Sequence, residues 1–248
     1  LTFNLCIKGL ASKGFSQSTS TYSRISPVFS YPIATSLCST QSLSLEGFYK
    51  LSGGTVNAET LEVPQGAVPS NQDVLICGYG GGDTINGSTA NDVLEGGDTG
   101  GATIAGLAGN DRLRGTMAND LLNGGEGDDV LVALGGVVEA TGGTGRDVFA
   151  LWDNTSSVQL FIKDFNASVD KLDLSALSTA LTAVNTQTQT TGLQELQQSI
   201  TSFYALQPSG VLQLDLSDWL TSEAQAGGAT ALVSIELEQS GGAAPGGQ

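Results

Sequence analysis

The sequence predicts an all-β protein, a parallel β-roll of nonapeptide repeats flanked by β-rich N- and C-terminal segments with one short helix. Three observations carry that expectation. The 34 glycines follow no G-X-Y period, so they belong to tight turns and not to a collagen helix. A period of nine residues runs from Gly78 to Ala150. One apolar position recurs in each period, and the segments on either side alternate apolar and polar residues as half-buried strands do.

Residues 1–77 form a Ser/Thr-rich segment of β type, with alternation at Ser42-Leu43-Ser44-Leu45 and turn signals at Gly53-Gly54 and Pro64. The roll itself occupies 78–150. Its eight repeats begin at Gly78, Gly87, Gly97, Gly106, Gly115, Gly124, Ala133 and Gly142, with Gly96 as one inserted residue. Position one is Gly in all but the seventh repeat, position four is Gly or Ala, and position six is Asp in six of them. Position eight reads Ile85, Leu94, Ile104, Leu113, Leu122, Leu131, Ala140 and Phe149.

That pattern divides the labour. Positions one to six make a turn whose glycines reach backbone angles closed to other residues and leave carbonyls facing inward. Positions seven to nine make a strand too short to survive alone, so its middle side chain must stack on the neighbouring coils. Glycine-rich turns lose much entropy on ordering and bury little apolar surface. A hard cation with six to eight oxygen ligands suits converging carbonyls and carboxylates. Calcium, several ions of it, is the cofactor expected.

Residues 151–240 read as a region that closes and caps the roll. Leu193, Leu196 and Ile200 lie at i, i+3 and i+7 and predict a short helix, while Leu212–Leu216 and Val233–Glu238 alternate as strands. Residues 241–248, Gly-rich, read as a flexible tail.

The repeats resemble the RTX family, whose nonapeptide is G-G-x-G-x-D-x-U-x. Asp147-Val148-Phe149, Phe161-Ile162-Lys163-Asp164-Phe165 and Asp170-Lys171-Leu172-Asp173-Leu174-Ser175 resemble the segment that closes the roll in serralysin-type proteases. The resemblance covers about residues 78 to 177. It implies a bacterial protein secreted by a type I system, extracellular or at the cell surface, which folds when it meets calcium outside the cell. It also suggests Asp164, Asp170 and Asp173 for a further ion.

In that family's roll one coil takes two nonapeptides, so odd repeats turn along one edge, even repeats along the other, and each ion sits between turns n and n+2. The even edge carries Asp92, Asp111, Asp129 and Asp147 without a break. The odd edge reads Asp83, Ala102, Asp120 and Val138, so no neighbouring pair there keeps both carboxylates. Calcium affinity depends on the number of charged ligands. The expected metal residues are therefore Asp92, Asp111, Asp129 and Asp147, with the turn residues Gly106, Gly109, Asn110, Gly124, Gly127 and Asp128, and with Asp83 and Asp120 as weaker members. A register shift at Gly96, or rescue of odd sites by carbonyls, is the alternative.

The composition excludes several functions. With no His, neither an H-E-x-x-H zinc site nor a Ser-His-Asp triad exists in these residues, so no enzyme is expected. Asp98-Thr99-Gly100 spells an aspartic-protease triplet, but such chemistry needs two carboxylates sharing a proton and no second triplet occurs. A net charge of -16 argues against nucleic acid and anionic lipid as partners. No apolar run is long enough to span a membrane, and no small-molecule substrate is evident. Cys6, Cys38 and Cys77 suit one disulfide with one thiol left over, or three buried small side chains.

What remains is calcium and copies of the chain itself as partners. The expected function is a secreted calcium-binding structural protein that self-assembles into a filament, surface layer or matrix. The alternative is the calcium-dependent secretion and folding module of a larger enzyme or adhesin.

Overall fold

The computed structural model describes residues 5–6, 38, 49–51, 54–64, 69, 71–152, 157–166, 168–177, 211–215 and 233–239. The chain winds back and forth between two sheets, because each glycine turn reverses it after a strand of only a few residues. One sheet holds β2 (Tyr49–Leu51), β4 (Val74–Cys77), β6 (Val93–Glu95), β8 (Arg112–Arg114), β10 (Val130–Ala133), β12 (Val148–Leu151), β14 (Lys171–Asp173) and β1 (Leu5–Cys6), in that spatial order. The facing sheet runs β3 (Thr60–Glu62), β5 (Thr84–Asn86), β7 (Thr103–Ala108), β9 (Asp120–Glu126), β11 (Gly136–Thr144), β13 (Val158–Phe165), β16 (Val233–Gln239) and β15 (Val211–Asp215). Pairing is parallel throughout the described strands except between β15 and β16. The expected all-β parallel roll is what the structure shows.

Position eight makes the core. Ile85 pairs with Ile104 and Ile104 with Leu122 in one sheet, while Leu94 pairs with Leu113, Leu113 with Leu131 and Leu131 with Phe149 in the other. All are buried in one cluster with Leu61, Ala140, Ile162, Phe165, Leu172 and Leu237. Burying each such side chain contributes about 1.5–3 kcal/mol, which is why three-residue strands hold once stacked.

The inserted residue does not shift the register. Its neighbours stay aligned, Leu94 on Leu113 and Ile85 on Ile104. Gly96 takes the structural place of position one, donating its N–H to the Arg114 carbonyl as Gly115 does to Val132. The extra residue is absorbed inside the turn, where Gly97 adopts a φ of 104°.

The two sheets differ on their outer faces. In β5, β7 and β9 the outward positions are exposed or half-buried, whereas β6, β8, β10 and β12 are buried on both faces. Leu75, Cys77, Val93, Val130, Val132, Leu134 and Val148 form a second apolar cluster there, with Cys38 and Trp152 packed against it. Glu95 and Arg114 form an ion pair at 3.8 Å within this face, and Arg114 stacks over Trp152 at 4.5 Å. A disulfide joins Cys38 to Cys77 and closes a span of 39 residues, a constraint that contributes about 3–4 kcal/mol.

The described residues contain one 3-10 turn, Ser175–Leu177. The helix expected around Leu193–Ile200, the alternation at Ser42–Leu45 and the tail at 241–248 lie outside the described residues. Both expected C-terminal strands are present as β15 and β16.

Candidate metal centre

The even turns stack into a continuous ladder. At position six, the N–H of Val74 donates to Asp92 Oδ1 (2.9 Å), that of Asp92 to Asp111 Oδ1 (2.7 Å) and that of Asp111 to Asp129 Oδ1 (2.7 Å). Asp129 then donates to Asp147 Oδ1 (2.9 Å) and Asp147 to Asp170 Oδ1 (3.0 Å). Five aspartates follow one another, each 3% exposed or less. Asp170 extends the ladder that the repeats alone end at Asp147.

One position outward a second ladder runs in the opposite sense. Asn91 donates its N–H to Asp73 Oδ1, Asn110 to Asn91 Oδ1, and Asp128 to Asn110 Oδ1. It ends where Arg146 donates its N–H to Asp128 Oδ1 and its guanidinium pairs with Asp128 Oδ2. The side chains of Asn110 and Asp128 are thus engaged in holding turns together.

The odd edge is broken where the sequence breaks it. Glu59 N–H donates to Asp83 Oδ1 at 2.9 Å and Ala102 N–H to Asp120 Oδ1 at 2.8 Å. Ala102 and Val138 have no carboxylate to receive the N–H of Asp83 and Asp120, so the column stops after each single rung.

A position-one glycine lies against the carboxylate of each of the six repeat aspartates. A Cβ on Gly106 would meet Asp111 Oδ2, and one on Gly124 would meet Asp129 Oδ2, so the glycines make room for the acids of their own turns. The seventh repeat loses both together, with Ala133 at position one and Val138 at position six. Gly109 and Gly127 serve differently. Their φ values of 113° and 127° lie in the left-handed region, and a Cβ on either would strike the carbonyl of the preceding coil's turn, at Ala90 and Gly109.

Burying acids beside acids has an electrostatic cost, and it falls on the middle of the even edge. Burial pushes Asp111 up to about 9, with the charges of Asp129, Asp92 and Asp73 adding to it. Burial likewise raises Asp129 to about 7, with Asp128 adding, and Asp147 to about 7, with Asp170, Asp129 and Asp164 adding. Asp92, Asp120, Asp170, Asp83 and Asp73 are raised for the same first reason. Asp128 goes the other way: burial raises it, but hydrogen bonds and charge from Arg146 outweigh that.

Oδ2 of Asp111, of Asp129 and of Asp83 is buried with no hydrogen-bond partner. Buried carboxylate oxygens of this kind are costly unless a cation or proton meets them. Among the described residues no three acidic or thiol side chains converge on one point. An ion between two even turns would therefore take its charge from two carboxylates at most and complete its shell with carbonyls of the glycine turns, a donor set that fits calcium.

The family model described as peptidase M10 serralysin C terminal matches residues 66–226, more than half of the chain. The chain belongs to the serralysin C-terminal family. Neither the curated proteins nor the solved structures return a match. The match of the serralysin C-terminal family takes in β4 and the closing strands β13 and β14 as well as the repeats, and it corresponds to the non-catalytic part of those peptidases.

Asp164 and Asp173, suggested for a further ion beside Asp170, find partners of their own. Asp164 accepts the N–H groups of Gly142 (2.9 Å) and Gly143 (2.7 Å), and Asp173 Oδ1 accepts the N–H and the hydroxyl of Ser175. The repeat reading also missed that Ser88 and Thr116 serve Asp92 and Asp120: each donates its N–H to Oδ2 and its hydroxyl to Oδ1. The signal was present as a Ser or Thr four residues before the aspartate.

Proposed function

We propose that this chain is a non-catalytic calcium-binding protein of the bacterial exterior, and that its roll folds when calcium enters the even edge. The observation that carries the reading is the run Asp111, Asp129, Asp147, three successive buried carboxylates held in register by backbone N–H groups. Like charges so placed oppose folding until a cation binds them. Within this reading the chain is either a calcium-dependent secretion and folding module or a structural unit. Membership of the serralysin C-terminal family supports the module.

One structural feature favours assembly. The sheets end on β2 and β3, and among the described residues neither has a partner strand on its outer side. Open strand edges accept a strand from another copy. Far-UV circular dichroism during a calcium titration, with particle size measured on the same sample, tests both. Gain of β signal with calcium is expected. A spectrum indifferent to calcium and chelator contradicts the calcium reading, and monomers in both conditions contradict assembly.

A further inference from the structure

Two kinds of turn occur along the roll, and they part at their second residue. In the turns that begin at Gly78, Gly106, Gly124 and Gly142 that residue lies in the left-handed region, with φ 65° at Tyr79, 80° at Leu107, 112° at Gly125 and 94° at Gly143. For Tyr79 and Leu107, which carry side chains, this backbone conformation is strained, so their surroundings must enforce it.

In the turns that begin at Gly87 and Gly115 the second residue is Ser88 or Thr116, and neither is left-handed. Each folds back on its own aspartate. Ser88 N–H reaches Asp92 Oδ2 at 2.6 Å and its hydroxyl reaches Oδ1 at 3.2 Å; Thr116 does the same to Asp120 at 2.7 and 2.9 Å. Those hydroxyl oxygens accept the N–H of Ala90 and Ala118, at position four, where the left-handed turns carry Gly. The closing turn repeats the device, Asn166 N–H donating to Asp170 Oδ2 at 2.7 Å.

The carboxylates register the difference. The unpartnered buried Oδ2 atoms of Asp83, Asp111 and Asp129 all belong to left-handed turns, and these residues are 1%, 0% and 0% exposed. Asp92, Asp120 and Asp170 have both oxygens bonded.

We propose that the second residue of each turn decides whether that turn takes calcium: left-handed turns keep their aspartate open to the ion, whereas Ser88, Thr116 and Asn166 fill its place. This rests on the calcium reading above and narrows it. On the even edge the open turns of Asp111, Asp129 and Asp147 are consecutive, bracketed by the closed turns of Asp92 and Asp170. The calcium column is two sites long, between Asp111 and Asp129 and between Asp129 and Asp147. Its end rungs are ordered by the chain's own donors and provide a template on which the ion-dependent rungs stack.

The test rewrites one turn as the other in the full chain. Leu107→Ser with Gly109→Ala gives the Gly106 turn the pattern of the Gly87 turn, which this backbone already folds. Ser88→Gly with Ala90→Gly does the reverse. Native mass spectrometry in calcium should show one ion fewer in the first variant than in the unaltered chain and one more in the second. In chelator the first should melt above the unaltered chain and the second below it. Equal ion counts in all three, with the unaltered chain loaded, overturn this inference alone. No ion in any of them overturns the calcium reading and this inference with it.

Discussion

The two edges of the roll are made from the same nonapeptide, with the same glycine beside the same aspartate, yet they behave as different materials. On the even edge, Asp92 to Asp170 pass one N–H to the next without interruption. On the odd edge, Asp83 and Asp120 each hold one N–H and the column stops at Ala102 and Val138. Since a coil takes two repeats, residues that share a site are about eighteen apart in sequence, and two missing acids fall on one edge and spoil it entirely. An ion column is a property of an edge.

A large effect is expected to separate the edges through their glycines. Gly124→Ala sets a Cβ against Asp129 Oδ2 and displaces a carboxylate shared by the two proposed sites, so calcium affinity measured by calorimetry should fall about tenfold or more, about 1.4 kcal/mol. Gly115→Ala sets its Cβ against Asp120 Oδ2 instead. It should lower the melting temperature through lost hydrogen bonds, about 1–3 kcal/mol, and leave calcium affinity nearly unchanged.

Much of this was legible in the sequence, and what was not has physical reasons. The position-eight column from Ile85 to Phe149 was readable because every coil needs one apolar side chain at the same place. The broken odd edge was readable because a missing carboxylate is a missing letter. The strands that extend the stack beyond the repeats, β3, β4, β13, β14 and β16, lie outside the period of nine and leave no nonapeptide signature. The division between left-handed turns and Ser/Thr turns is written at positions two and four, but Gly and Ala at position four look alike as small residues. They are not equivalent, because Ala90 and Ala118 donate to Ser88 and Thr116 while Gly109 and Gly127 need left-handed φ. The burial of β6, β8, β10 and β12 on both faces was hinted at only by Val93, Val130, Val132 and Val148.

Acidity offers a second, smaller separation. Asp111, at about 9, and Asp129 and Asp147, at about 7, all stand above the ordinary 3.8 of the unfolded chain. Protonation therefore favours the folded state. In chelator that stability is fully present below about 4 and is lost as pH rises through 7 and 9. The melting temperature in chelator should fall from pH 5 to pH 9, while calcium affinity rises over the same window because the ion displaces fewer protons. Asp111→Asn should flatten the upper part of the first curve. Apo stability that grows with pH across this range would contradict the buried ladder.

The smallest effect belongs to the rim of the even edge. Arg146 pairs with Asp128 but is 67% exposed, so Arg146→Ala should lower stability by less than about 1 kcal/mol in a thermal melt at low salt, and by less still at high salt. A larger loss would mean that the outer ladder, not the aspartates, holds the edge together.

The most direct measurement is calorimetric titration of calcium into the full chain carrying Asp129→Asn and, separately, Asp120→Asn. Asp129 has an unpartnered buried oxygen and stands between two open turns, while both oxygens of Asp120 are taken by its own turn and Ala102. Asp129→Asn should remove binding at both proposed sites of the column, and Asp120→Asn should leave the number of ions and their affinity close to those of the unaltered chain. Equal losses from the two substitutions would contradict it.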